Sequence, residues 1–124
     1  MSAREIKNAI IKSASLSIED HDCLTVWIHL DFGGTGQGFG GHALMLGPSF
    51  KHRKDCEKGP NYTGVYIDTI LRIADVSSWD KLPGKTIRVD SDHGKVYGIG
   101  HIIKDNWFYP EQVLSALNEE GEAP

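Results

Sequence analysis

Hydrophobic and polar residues alternate along the first part of the chain with the two-residue period of β-strands. Ala14, Leu16 and Ile18 alternate with three serines, and a longer alternation runs from Leu24 to Phe32. We therefore predict two strands that each bury one face. A third strand is expected after the glycine-rich stretch that follows, ending near Leu46. Short turns between three consecutive strands predict an antiparallel meander.

The apolar period changes to three and four residues between Tyr62 and Val76, which is typical of an amphipathic helix. Two more strands are expected over residues 85–90 and 95–107, and Pro110 suits the first turn of a last helix. The pattern predicts one α+β domain over residues 1–124, with an antiparallel β-sheet of about five strands, one main amphipathic helix and a short C-terminal helix. The acidic end, residues 119–124, is expected to fray.

Composition and charge narrow the class of protein. Hydrophobic residues make up 40% and charged residues 24% of the chain, as in soluble globular proteins. No apolar run reaches the roughly 18 residues that span a bilayer. The net charge of −4 argues against a general DNA or RNA binder. Cys23 and Cys56 lack metal or disulfide spacing, which predicts free thiols in a reducing cytoplasm.

The stretch from Phe32 to Gly41, FGGTGQGFGG, is the most unusual feature of the sequence. Glycine is costly to order, so this density indicates turns with positive φ, close backbone approach, or open amides for an anion. Residues 36–41 fit G-x-G-x-x-G, but the HALML that follows continues a strand, which excludes a Rossmann unit. A protein kinase would also need an HRD motif, which the chain lacks. Ligand contact and a tightly packed hairpin both remain open.

No residue set predicts an enzyme, a cofactor or a metal. His29, Asp31 and His42 form a conceivable metal set, but no HExxH or similar pairing supports them, so cross-strand hydrogen bonding is the preferred interpretation. No G-x-S-x-G elbow appears. Four aspartates lie near predicted turns, where Asp bonds the backbone: Asp75, Asp80, Asp90 and Asp92. The basic loop 51–58 is interpreted either as solvated charge or as a cover for a pocket.

The late segment HGKVYGIGHIIKDNWFYP mixes aromatic and cationic residues. Tyr97, His101 and Asp105 are expected on one strand face that ends near Trp107 and Phe108. With Arg88, Lys95 and Lys104, these side chains would supply stacking planes and positive charge for a nucleotide. The alternative is a core strand whose aromatic side chains seal the sheet.

The segments IKNAIIKSASLSIEDHDCLTVWIHLDFGGTGQGFGG, GKTIRVD and KVYGIGHIIKDNWFYP together resemble the phage Thoeris anti-defence proteins of type one, over about Ile6 to Pro110. The resemblance implies a sponge that binds a cyclic ADP-ribose isomer, the immune signal of a TIR-domain protein, without degrading it. Some members also sequester cyclic di- or trinucleotides. It further implies a homo-oligomer, a dimer or hexamer with pockets at subunit interfaces, in the cytoplasm of the infected bacterial host.

From chemistry and location we predict nine ligand-binding residues: Phe32, Gly36, Gln37, Phe39, Arg88, Lys95, His101, Asp105 and Asn106. Two other functions stay open. A small nucleotide-acting hydrolase or lyase would use His29, His42 or His101 as general base. A structural or protein-interaction module of a phage would use the glycines only for close strand packing.

Overall fold

The chain folds around one antiparallel sheet. The computed structural model of the protein describes residues 3–19, 22–45, 47–51 and 62–112. The strands are β1 (Glu5–Glu19), β2 (Cys23–Asp31), β3 (Gly36–Met45), β4 (Thr86–Ser91), β5 (Val96–Gly100) and β6 (Trp107–Phe108). They lie in the order β3-β2-β1-β4-β5-β6. Helix α1 (Tyr62–Ala74) and a 3₁₀ turn (Trp79–Lys81) connect β3 to β4, and residues 110–112 are helical.

The predicted α+β class is confirmed, with an antiparallel sheet and one main helix. The described sheet has six strands because the predicted strand over 95–107 is wrong as a single element. Its chain reverses after Gly100, and β6 pairs back onto β5. The His101 side chain stabilises this turn: its Nδ1 accepts hydrogen bonds from the amides of Ile103 and Lys104, both at 3.0 Å.

The two edge strands meet across the core although they lie at opposite ends of the sheet. The rings of Phe39 on β3 and Phe108 on β6 have centroids 6.3 Å apart, and Tyr66 of α1 lies edge-on to Phe108 at 5.0 Å. All three side chains are buried. Helix α1 packs against β3, β4, β5 and β6. The sheet therefore curls into a half-open barrel whose gap is closed by α1.

Strand β1 is longer than predicted, and its second half is not buried. It begins at Glu5 and pairs with β4 only as far as Ile10, after which β2 is its strand partner in the described part of the chain. Leu16 is 40% exposed and Ile18 is 62% exposed. The predicted buried face is wrong there because α1 packs on β3 to β6 and leaves this part of the inner face uncovered.

The glycine-rich stretch forms most of β3 and is not a loop between strands. The connection from β2 to β3 occupies only residues 32–35. The indole of Trp27 on β2 lies over β3, where a Cβ atom at Gly38 would come within 3.0 Å of it and one at Gly41 within 2.6 Å. Gly40 has φ +116°, and its Cβ would lie 2.5 Å from the Val26 oxygen. These glycines allow β2 and β3 to approach closely.

Several sequence predictions concern residues outside those the structure describes. They are Leu46, Cys56, residues 52–58 of the basic loop, the apolar residues of the last helix (Val113, Leu114 and Leu117), and the acidic end 119–124. The side chain of His42 also lies outside the description. Among the described helices, none combines the length and the apolar character needed to cross a membrane.

Gly34 and Gly40 have nearly equal φ angles but different surroundings. Substitutions at these two positions therefore measure backbone strain and steric crowding separately. A Cβ atom added at Gly34 (φ +115°) would have no neighbour within 4 Å, whereas one at Gly40 (φ +116°) would meet a backbone oxygen. We predict that Gly34→Ala lowers the free energy of unfolding by about 1–3 kcal/mol through φ strain alone. Gly40→Ala should lower the free energy of unfolding by roughly 1–3 kcal/mol more than Gly34→Ala does, because its Cβ atom would also overpack the strand pair. Urea denaturation measures both, and equal losses would contradict the packing role of Gly40.

Candidate functional site

The nine predicted ligand-binding residues do not converge on one site. Four of them lie at the sheet end that carries the β2–β3 and β4–β5 turns: Phe32, Gly36, Gln37 and Lys95. Four lie on or beside the β5–β6 turn at the other end of β5: Arg88, His101, Asp105 and Asn106. Phe39 is 1% exposed and belongs to the core. The length of β5, about 17 Å, separates the two groups.

The amides of the β2–β3 turn already bind an anionic group. Asp31 Oδ1 accepts hydrogen bonds from the amides of Gly33 (2.8 Å) and Gly34 (3.4 Å). These bonds lower the pKa of Asp31, with the Gly33 amide as the largest cause. Gly36 is close-packed instead, since a Cβ there would lie 2.8 Å from the Leu30 oxygen. The turn is thus closed by its own carboxylate, as in an Asx turn, and offers an external phosphate few amides.

The β4–β5 turn repeats the same arrangement, and Gln37 joins the two turns. Asp92 Oδ1 accepts hydrogen bonds from the amides of Gly94 (2.8 Å) and Lys95 (3.0 Å). The Tyr97 hydroxyl, which donates to the other carboxylate oxygen, is the largest cause of the lowered pKa of Asp92. The Gln37 amide nitrogen donates to the Asp92 carbonyl at 2.8 Å. This hydrogen bond connects β3 to the β4–β5 turn and gives the Gln37 side chain a structural role.

The cations at this end of the sheet have protein partners. Lys95 Nζ pairs with Glu111 at 2.5 Å, and Lys7 Nζ lies 4.7 Å from the centroid of the Phe32 ring. Arg4 pairs with Asp90 at 2.7 Å and lies over the Tyr97 ring at 4.2 Å. The charged groups at this end of the sheet therefore mainly contact other groups of the protein, and we assign them a structural role.

The other end of β5 borders a cavity of about 660 Å³. It lies where the C-terminal end of α1 and the segment after it face the β5–β6 turn. Its walls are formed by Leu71, Arg72, Asp75, Val76, Ser77, Lys81, His101, Lys104 and Asn106. Pockets for small molecules typically enclose roughly 300–1,000 Å³, so the volume suits a ligand of nucleotide size.

His101 is held in one orientation and one tautomer at the cavity wall. Only 7% of the residue is exposed, and Nδ1 accepts the amides of Ile103 and Lys104. A nitrogen that accepts hydrogen bonds carries no proton, so in the neutral ring the proton lies on Nε2. Nε2 faces Asp75, whose Oδ2 is 3.8 Å away, beyond direct hydrogen-bond distance. His101 therefore presents a donor to the cavity.

Arg88 holds the β5–β6 turn from outside the cavity. Its Nε donates to the His101 carbonyl and its Nη2 to the Lys104 carbonyl, both at 2.7 Å. The guanidinium also lies 5.0 Å from the centroid of the Trp107 ring. This planar, two-pronged contact is one that Arg makes and Lys does not. Arg88 is thus a positioning residue for the turn that carries His101 and Asn106, whereas Asp105 is exposed on the same turn.

The described residues of the cavity wall are positively charged on balance. Arg72, Lys81 and Lys104 contribute three cations, and among these residues Asp75 contributes the one carboxylate. Arg72 is paired with Asp68 at 2.9 Å, and Lys81 donates to Ser77 at 3.2 Å. Lys104 has no ion pair among the residues that the structure describes. A polar cavity with this surplus favours an anionic ligand.

Sequence reasoning missed most of the cavity wall. It identified His101 and Asn106 as binding residues, but it assigned Asp75 only to a turn and gave no role to Arg72, Ser77 or Lys81. One feature of the sequence could have pointed to Asp75. It directly follows the apolar period of α1, at a position where Gly is the common residue. Within the described ranges, no group of three His, Cys, Asp or Glu residues is placed to hold a metal ion.

Comparisons with protein-family models, with curated proteins and with solved structures find no match to this chain.

The Arg4–Asp90 pair predicts a pH-dependent contribution to stability. Hydrogen bonding to Arg4, the largest cause, and to Tyr109 lowers the pKa of Asp90 below its ordinary value. A lowered folded-state pKa adds stability that is complete above the ordinary value, about 3.9, and is lost as the pH falls through the folded value. Arg4→Met should therefore be less stable than the unchanged protein above about pH 4, and the difference should shrink below it.

Urea denaturation between about pH 2 and pH 7 measures this difference. Arg72→Met is the matched control, because it removes an exposed pair with Asp68, and such pairs contribute little. A deficit of Arg4→Met that stays constant over this whole range would contradict the role of Asp90.

Proposed function

We propose that this protein binds a cyclic nucleotide signal in the cavity between the end of α1 and the β5–β6 turn and sequesters it without cleaving it. One observation carries the proposal: the fixed Nε2 donor of His101 faces a cavity whose wall bears three cationic side chains. Charge-assisted hydrogen bonds from such groups bind phosphate strongly. The volume of about 660 Å³ supports a compact nucleotide rather than a nucleic-acid strand.

The resemblance to the type one Thoeris anti-defence proteins supplies the ligand class. Under this proposal the ligand is a cyclic ADP-ribose isomer, and cyclic di- and trinucleotides are further candidates. The protein would act in the cytoplasm of the infected bacterial host. Neither DNA nor a membrane is a proposed partner, and the net charge of −4 agrees with that.

The state of His101 supports a binding role over a hydrolase or lyase. A general base needs a free lone pair within reach of the proton it removes. The Nδ1 lone pair of His101 accepts two backbone amides, and Nε2 carries the proton in that tautomer. His29, the other described candidate, is stacked on Trp27 on the outer face of the sheet, away from the cavity. We therefore propose that the protein is not an enzyme.

The exposed part of β1 supports a homo-oligomer. Residues 12–19 pair only with β2 in the described part of the chain, and Leu16 and Ile18 on this segment are 40% and 62% exposed. A long strand with an open edge and exposed apolar side chains is suited to pair with another chain. We propose a dimer or hexamer, which sedimentation analysis of the purified protein distinguishes from a monomer.

Ligand screening by thermal denaturation tests the binding proposal. The panel is linear ADP-ribose, NAD, two cyclic ADP-ribose isomers, and several cyclic di- and trinucleotides. At one hundred times its dissociation constant, a true ligand stabilises the protein by about 2.7 kcal/mol, which raises Tm on the order of 10 °C. We expect this rise with a cyclic species, which should be recovered chemically intact after heat denaturation.

Two charge-matched variants locate the binding site. Lys104→Met removes a cation from the cavity wall, whereas Lys7→Met removes an exposed cation of β1 that lies outside the cavity wall and outside residues 12–19. We expect Lys104→Met to lose about tenfold in affinity, as is usual for a hydrogen bond to a charged group, and Lys7→Met to bind normally. Equal binding by both variants would place the ligand elsewhere, recovery of a cleaved product would favour the enzyme, and a panel without any shift would exclude the nucleotide proposal.

A further inference from the structure

Helix α1 ends in a Schellman motif with an aspartate where glycine is usual. The amide of Val76 donates to the Leu71 carbonyl at 3.0 Å, and the amide of Asp75 donates to the Arg72 carbonyl at 3.2 Å. This pair of bonds puts Asp75 at the position after the last helical residues, with φ 60°. Side chains with a Cβ atom adopt that conformation at a cost that glycine does not bear.

The aspartate side chain gives the fold no visible return for this cost. It is 77% exposed, and it makes no hydrogen bond among the described residues. Its carboxylate lies beside His101, whose Nε2 is 3.8 Å from Oδ2, beyond hydrogen-bond distance. A carboxylate at the C-terminal end of a helix also faces the negative end of the helix dipole. Two stability terms therefore oppose Asp75, and strained residues of this kind cluster at functional sites.

The location of Asp75 gives its carboxylate a use in binding. The other charged residues described in the cavity wall, Arg72, Lys81 and Lys104, are hydrogen-bond donors, and His101 donates through Nε2. A ligand that contains only phosphate would meet repulsion from Asp75. A ligand that also carries hydroxyl or amino groups would find an acceptor there, within reach of the cations that hold its phosphates.

We propose that Asp75 is a specificity residue that accepts hydrogen bonds from the ribose hydroxyls or the base amino group of the ligand, and so selects nucleotides over inorganic phosphates. This inference rests on the proposed nucleotide-binding function. It adds that the protein keeps a destabilising residue at the end of α1 because that residue contacts the ligand.

The chain offers a matched control for the backbone cost. Asp22 is the other non-glycine residue with positive φ in the described ranges, at 61°, and it precedes β2, away from the cavity wall. Asp22→Gly and Asp75→Gly should both raise Tm by a few degrees, because glycine relieves the same strain. Only Asp75→Gly should change ligand binding. Asp75→Asn removes the charge but keeps a side chain that tolerates this backbone conformation.

Calorimetric titration with a cyclic ADP-ribose isomer and with pyrophosphate tests the proposal. We expect Asp75→Gly to bind the nucleotide about 10- to 100-fold more weakly and Asp75→Asn to show a smaller loss. Pyrophosphate should bind both variants at least as well as the unchanged protein, since a repelling charge is gone. A purely structural role for Asp75 would not move the two ligands in opposite directions.

Each outcome supports or overturns the inference. Nucleotide binding by Asp75→Gly that equals that of the unchanged protein overturns the role of Asp75 and leaves the proposed function standing. Absence of nucleotide binding by the unchanged protein overturns both. A nucleotide loss that Asp22→Gly shares would show a general effect of the backbone change and would also overturn it.

Discussion

The ring contacts between Phe39, Tyr66 and Phe108 are the interaction on which the rest of the structure depends. Phe39 and Phe108 belong to strands at opposite ends of the sheet, and their contact through Tyr66 requires the sheet to curl around α1. This curl brings the β5–β6 turn against the C-terminal end of α1. The cavity exists because of that approach, so its shape depends on apolar packing in the core.

On two pairs of strands, glycines make room for aromatic rings on the outer face of the sheet. The Trp27 ring lies over Gly38 and Gly41 of β3, and near the opposite edge of the sheet the Tyr109 and Trp107 rings lie over Gly98 and Gly100 of β5. In each case an aromatic ring covers the place that a side chain would take. The G-x-G-x-x-G pattern of residues 36–41 thus reflects strand packing, which agrees with the interpretation of a tightly packed hairpin.

Hydrophobic periodicity predicted the buried residues of an element well where another element covers its apolar face. On β2, Val26, Ile28 and Leu30 are at most 2% exposed, and on α1, Ile70 and Ile73 are equally buried. On β1 the same pattern was misleading, because alternation indicates a strand with two different faces but not whether another element covers one of them. The exposure of Ile18 depends on where α1 lies, which no local pattern specifies.

The candidate site was harder to predict than the fold for a related reason. Its wall combines residues around Asp75 with residues around His101, and only the curl of the sheet brings these segments together. Aromatic and cationic residues near the end of the sequence drew attention to His101 and Asn106, which line the cavity. Chemistry alone did not separate them from Lys95 or Gln37, which lie elsewhere, because that distinction depends on which partners are already satisfied within the protein.

The central position of β1 also bears on how the chain folds. Strand β1 comes first in the sequence but lies between β2 and β4, and Arg4 near its start pairs with Asp90, 86 residues later. Such distant contacts must overcome the entropy of closing a long loop before they contribute, which slows folding. During synthesis, β1 can pair with β2 early, but its other edge waits for β4. The described sheet is completed only after β4, β5 and β6 have also left the ribosome.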